Sequence, residues 1–277
     1  MGALLALASA ACYGIADFAG GLLARRTSHV PVALLGQLGG LAVMLVAAPL
    51  VGADAVAGRD LAAGALSGVG TGVGMLFLYR GLARGGMSVV VPVSAVGGIA
   101  LPVVAGVLVF GDRPSVTTWA GVVVAVPAIW LVSGSGGRGG AGGPAVVDGL
   151  VASVGIAVQY LALAQAGPSS GLWPVTAGRV TAVAAIALAM RPSSRSLRVR
   201  PPLGVGAAAT GGVAALALVC YLLATRQDLM VVAVVLSSLY PVLPVVLGVT
   251  VLRERLAAWQ VAGLAGAAVA TVLVAAG

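Results

Sequence analysis

Apolar residues run along this chain in long, nearly continuous blocks, broken by short polar intervals at fairly even spacing. Ten blocks reach the roughly 20 residues that a helix needs to cross a bilayer. They fall near 3–23, 31–51, 61–80, 88–110, 115–133, 148–166, 171–190, 203–225, 230–252 and 257–276. Within them apolar character is continuous rather than alternating, which disfavours a membrane β-barrel. In hydrocarbon the remaining way to satisfy the backbone is the helix. The expected fold class is therefore all-α, a polytopic membrane protein of ten transmembrane helices.

The least membrane-like stretch runs from Ser133 to Pro144 and is dominated by glycine. By composition it is a flexible linker, with five apolar blocks on each side. The predicted organisation is a first five-helix repeat at 1–133, a linker at 134–147 and a second repeat at 148–277. An offset of 142 aligns the halves without gaps. Leu61 falls on Leu203, Tyr79 on Tyr221 and Arg84 on Arg226. Leu101-Pro102-Val103-Val104 falls on Leu243-Pro244-Val245-Val246, and Asp112-Arg113 on Glu254-Arg255. Apolar matches are cheap in such a chain, but proline, tyrosine and acid–arginine matches at one offset are not. Five is odd, so the second copy must start from the opposite side of the membrane. That predicts two inverted repeats, with a solute site near the midplane where they meet.

Composition agrees. Of 277 residues 60% are hydrophobic and 8% charged, against about 25% charged in soluble domains. The net charge of +8 comes wholly from arginine. The arginines sit between apolar blocks rather than on a basic helix, so lipid headgroups, not nucleic acid, are the expected counterpart. Loops after odd-numbered blocks hold eleven arginines and loops after even-numbered blocks three, which by the positive-inside rule places both termini outside. Cys12 and Cys220 lie in apolar blocks and suggest no disulfide framework. The first block lacks a basic leader and reads as a retained span.

Small residues let membrane helices approach closely, and overlapping G-x-x-x-G pairs stand at Gly68/Gly72 and Gly70/Gly74, with another at Gly36/Gly40. Ionisable groups inside a span are expensive, and so are functional candidates. Asp17 lies well inside the first block, one helical face holding it with Ser9 and Tyr13. Arg179 is the one arginine well inside a block. The offset pairs Asp17 with Gln159 and Gln37 with Arg179, so four polar residues occupy two equivalent places. These four are expected to line the solute path, with Tyr13, Tyr160 and Tyr240 as further walls. Desolvation disfavours a buried carboxylate's charged form, so Asp17 could exchange a proton for cargo. Arg179 could hold an anionic cargo or pair permanently with Asp17. Pro92, Pro102, Pro241 and Pro244 are expected to kink the fourth and ninth helices.

The motifs resemble the EamA-type branch of the drug/metabolite transporter superfamily. The likeness is clearest in Ser237-Ser238-Leu239-Tyr240-Pro241, Pro244, Leu252-Arg253-Glu254-Arg255-Leu256, Gln260 and Gly263. Gly111-Asp112-Arg113-Pro114 repeats the plan with Asp for the usual Glu, and Cys12-Tyr13-Gly14-Ile15-Ala16-Asp17-Phe18 is similar to the family's first helix. The family's second helix usually bears an arginine. Arg179 fills that place in the second half, and Gln37 departs from it in the first. The resemblance implies a solute carrier, often an exporter of amino acids, metabolites or drugs, in a bacterial plasma membrane. No enzyme, cofactor or metal signature is present in the sequence. Expected partners are a small-molecule solute, protons, membrane lipid and a second copy in a homodimer. A lipid flippase or scramblase, and a non-transporting membrane scaffold, are the alternatives. Polar residues at matching midspan places argue against the scaffold.

Overall fold

The structure is a computed structural model that describes residues 2–110, 113–133, 143–190, 199–225 and 240–276. Among these residues it is helical throughout, with no strand. The helices are α1 (Gly2–Arg26), α2 (His29–Val51), α3 (Gly58–Arg84), α4 (Met87–Ala105, continued by a π-helical turn at Gly106–Phe110), α5 (Val116–Ser133), α6 (Gly143–Leu163), α7 (Trp173–Ala189), α8 (Pro201–Thr225), α9 (Val242–Thr250) and α10 (Ala258–Ala276). Seven are long and apolar enough to cross a membrane, and the apolar helices Val116–Val132 and Trp173–Ala189 are slightly shorter. The chain is an integral membrane protein.

Each predicted span finds a helix, but three boundaries shift with consequences. First, α6 starts at Gly143 rather than 148, so the expected linker over 134–147 gives up its last five residues to helix. Pro144 suits a helix start because its missing N–H is not needed there. Asp148 is thereby carried inside the helix. Second, α3 runs on to Arg84. Arg80 and Arg84, expected in a loop, extend from its last turns, with apolar stems along the bundle and charged heads at its end. Third, the ninth span is not one described helix. Tyr240 and Pro241 form a turn and α9 begins at Val242. Residues 226–239, including the Ser237-Ser238 motif, lie outside the described residues, as do Asp112 and most of the glycine-rich linker.

The prolines follow from this. Pro92 and Pro102 sit inside α4, and the helix passes into π geometry one turn after Pro102, as expected where an intrahelical bond is lost. Pro241 caps α9 and Pro244 lies in its first turn, where backbone N–H groups have no intrahelical partner anyway. These two mark a helix start rather than a kink within a helix.

α3 packs on α6 and α7, α8 on α1 and α2, α4 on α6, and α5 on α10. The glycines explain how α3 serves two neighbours. Gly68 and Gly72 face Gly178 and Ala182 of α7, whereas Gly70 and Gly74 face Gly155 and Ala152 of α6. A Cβ on Gly70 would come within 2.6 Å of the Gly155 carbonyl oxygen. Gly36 likewise meets Ala207 and Gly211 of α8. Such close backbones gain dispersion contacts where lipid provides no hydrophobic drive.

Polar contacts tie the helix ends into two opposite layers. In one, Asp148 accepts Nε and Nη2 of Arg80 at 2.9 and 2.6 Å and Nη1 of Arg84 at 3.1 Å. In the same layer Glu254, after α9, accepts the N–H groups of Met87 and Ser88 at 2.9 and 3.0 Å, the Ser88 hydroxyl at 2.7 Å and Arg25 Nη2 at 3.2 Å. Arg25 also donates to the carbonyls of Leu82 and Gly85. In the other layer Ser170 donates to Asp60 at 2.6 Å and accepts the Ala57 N–H. Ser170 thereby joins the turn before α7 to the start of α3.

Candidate functional site

Between these layers the bundle keeps a polar interior. Asp17, on α1, is 7% exposed. No hydrogen bond or ion pair reaches its carboxylate among the described residues. One turn back Tyr13 lies against Tyr240 at the turn before α9, ring centroids 6.0 Å apart and tilted by 55°. Gly14 allows this approach, since a Cβ there would meet the Tyr240 carbonyl oxygen at 2.9 Å. Ser9, another turn back on the same face, is fully buried with an unpartnered hydroxyl. α1 therefore carries a polar stripe, Ser9–Tyr13–Asp17, into the bundle.

Arg179 on α7 is 8% exposed and Gln37 on α2 is 4% exposed. Nη1 of Arg179 donates to Oε1 of Gln37 at 2.7 Å. Permanent pairing of Arg179 with Asp17 is thus not what is found. The arginine meets a neutral amide, and no ion pair joins it to Asp17. The two charges still share one neighbourhood, because Tyr13 and Tyr79 each lie within electrostatic range of both.

Tyr79 was not among the residues singled out from the sequence, and neither was Tyr221. The structure brings both to the site. Tyr79, on α3, is 5% exposed, its ring against Gly20 of α1, and it shares a hydrogen bond with Thr210 of α8. Tyr221 on α8 lies within range of Tyr13 and Tyr160. Tyr160 on α6 and Tyr240 lie within range of Asp17. All five tyrosines of the chain thus converge on one region, contributed by α1, α3, α6, α8 and the turn before α9. The signal was available: Tyr79 and Tyr221 match under the 142-residue offset. Three of the four tryptophans behave oppositely. Trp119, Trp130 and Trp259 are exposed near helix ends, as interfacial anchors are.

Gln159 lies on α6, which packs closely on α3. Its backbone N–H lies against Gly70, in the seam between α6 and α3, and no side-chain hydrogen bond is formed among the described residues. Tyr160, the next residue, is turned about 100° around the helix and is 48% exposed. It lies within electrostatic range of Tyr221 and Asp17.

A separate region is chemically different. A cavity of about 320 Å³ lies between α4, α9 and α10, walled by Pro92, Val96, Pro241, Val245, Leu264 and Thr271. It is almost wholly apolar, and Pro241 is shared between its wall and the turn that carries Tyr240.

A solved crystal structure of another protein superposes with a TM-score of 0.60 over 99% of this chain and 97% of its own, at 20% identity. That likeness concerns the fold. No curated protein matches the chain. The EamA-like transporter family matches residues 1–134, which take in α1 to α5, Asp17 and Gln37. Residues 1–134, just under half of the chain, thus match a family of membrane transporters.

Proposed function

We propose that the chain is a secondary-type carrier that moves a small polar solute by alternating access between two inverted five-helix repeats. The solute is an amino acid, a metabolite or a drug-like compound, and the direction is export from a bacterial cell. The observation that carries the reading is the pair of buried ionisable groups of opposite kind, Asp17 and Arg179, neither in an ion pair among the described residues, in a tyrosine-lined interior. Burying an ion without a counter-ion costs several kcal/mol, and a purely structural bundle would have no reason to bear that cost twice. A solute with both a cationic and an anionic group would offset both costs at once.

Packing supports the two-repeat part of the reading. Under the 142-residue offset α1 to α3 correspond to α6 to α8. The α3–α6 and α3–α7 contacts then correspond to α8–α1 and α8–α2. Gln37 and Arg179 are themselves such a pair, and they touch. Two equivalent residues in contact must straddle the axis that relates their copies. The polar site would then lie on the pseudo-two-fold axis, where an inverted-repeat carrier binds cargo. Asp17 suits exchange of a proton against cargo.

The apolar cavity beside Pro241 gives the lipid-handling alternative its one favourable observation. Proteoliposome flux decides between the readings, with amino acids, organic cations and fluorescent phospholipids as separate arms. The carrier reading expects saturable solute flux that Asp17→Asn and Arg179→Gln abolish. Movement of labelled lipid alone would replace it with the lipid reading, and movement of nothing would end both.

A further inference from the structure

The surroundings of Arg179 differ from those of the arginines that hold the bundle together. A guanidinium presents five N–H donors in a planar fork that matches a carboxylate. Asp148 shows the structural use of that fork: one carboxylate accepts three donors from Arg80 and Arg84. Arg179 is far more buried than either, yet among the described residues it spends one donor, on the Gln37 amide oxygen at 2.7 Å. One neutral acceptor is a poor match for a buried cation, which ordinarily takes an anion or several carbonyls.

The guanidinium also lies directly against the backbone of α2, with no side chain between them. Gly40 follows Gln37 by one turn of α2, and a Cβ there would sit 3.3 Å from Cζ and 3.4 Å from Nε of Arg179. α2 thus offers the arginine one amide oxygen and an uncovered backbone. An amide oxygen and a carboxylate oxygen accept hydrogen bonds from the same direction and at similar distance, but only the carboxylate neutralises the charge. Gln37 is therefore an acceptor of the right shape and the wrong charge, placed where an anion would be held.

We propose that Gln37 is an internal stand-in for cargo: its amide oxygen occupies the anion position of Arg179 until a carboxylate, or an anionic group of similar size, displaces it. The substrate class that follows is a solute with such a group. The physiological meaning rests on the carrier reading, but the exchange itself is measurable without flux. A neutral stand-in has two consequences. It competes with cargo, so removing it tightens anion binding. A charged one would not let go, so Glu at position 37 should close the site.

The test is thermal unfolding of purified full-length protein titrated with acetate at constant ionic strength, with acetamide as the neutral control. Gln37→Ala should bind acetate about tenfold or more tightly than wild type, the factor corresponding to one hydrogen bond to a charged group. Gln37→Asn, one methylene shorter, should do the same and serves if the alanine variant folds poorly. Gln37→Glu and Arg179→Gln should show no acetate response. Equal or weaker acetate binding in both Gln37→Ala and Gln37→Asn would overturn the proposal. So would an acetate response that survives Arg179→Gln, or none in any variant. The carrier reading fails separately, through absence of flux in proteoliposomes.

Discussion

Replacing Glu254 should release one layer of the bundle, and the size of the effect follows from its contacts. The carboxylate caps α4 through the Met87 and Ser88 N–H groups, accepts the Ser88 hydroxyl and pairs with Arg25 at 3.2 Å. A helix N-cap is worth about 0.5–2 kcal/mol, and a negative charge at a helix N-terminus about 0.3–1 kcal/mol more. The Arg25 pair is partly exposed, with side-chain exposures of 29% and 14%, and adds well under about 1 kcal/mol. Glu254→Ala should therefore lose about 1–3 kcal/mol. Glu254→Gln keeps an acceptor but not the charge, and should lose about 1–2 kcal/mol. The pH dependence separates charge from shape. Burial pushes the Glu254 carboxyl up, but the bonds from Ser88, Met87 and Arg25 outweigh it and hold the group below the usual glutamate range. With the folded value below the unfolded one, this contribution is complete above the unfolded value and disappears as pH falls through the folded value. Thermal or chemical unfolding in detergent should show wild type above Glu254→Gln at neutral pH, the two converging in acid below the usual value of about 4.3. A gap that stays constant into acid, or no gap at neutral pH, would refute the cap.

Other changes test other parts of the account. Asp17→Asn should abolish flux while leaving thermal stability equal or higher, because it removes a buried carboxyl that has no ion pair among the described residues; a marked loss of stability would show that Asp17 is structural. Arg253, immediately before Glu254, has φ 55°, a left-handed conformation that favours glycine. Arg253→Gly should be neutral or stabilising by up to about 1 kcal/mol, and Arg253→Val destabilising, in the same unfolding assay. Gly68→Leu should disrupt the bundle, since even a Cβ there would run into the Gly178 carbonyl; unchanged unfolding and flux would contradict the close α3–α7 seam. Gly20→Val should displace the Tyr79 ring, whose atoms lie 2.6 Å from where a Cβ would be, and should reduce flux more than stability.

The helices were legible because lipid imposes one simple rule, about 20 apolar residues per crossing. Their ends were not, because arginine stems and Pro-led starts extend a helix past its apolar block. This is how Arg80 and Arg84, expected in a loop, came to pair with Asp148, expected at the very start of a span, at the end of the bundle. The site was legible where charge was costly: Asp17, Gln37 and Arg179 stood out against an apolar background. Tyr79 and Tyr221 did not, because a membrane tyrosine is as easily read as interfacial. Only the contrast with the exposed tryptophans, or their match under the repeat offset, distinguishes them. Gln159 followed from the offset alone, which gives it Asp17's place; the glycines at 70 and 155, which bring α3 and α6 close at its backbone, carried no such signal.

The central claim is that the tyrosine-ringed interior is wet and opens in turn to the two faces of the membrane. A single cysteine in place of Tyr160, with Cys12 and Cys220 replaced by alanine, can be labelled in sealed, oriented vesicles with a membrane-impermeant thiol reagent. The account predicts labelling from each face, with the two reactivities shifting in opposite directions as solute is added. A cysteine closed to the reagent from both faces in every condition would contradict it.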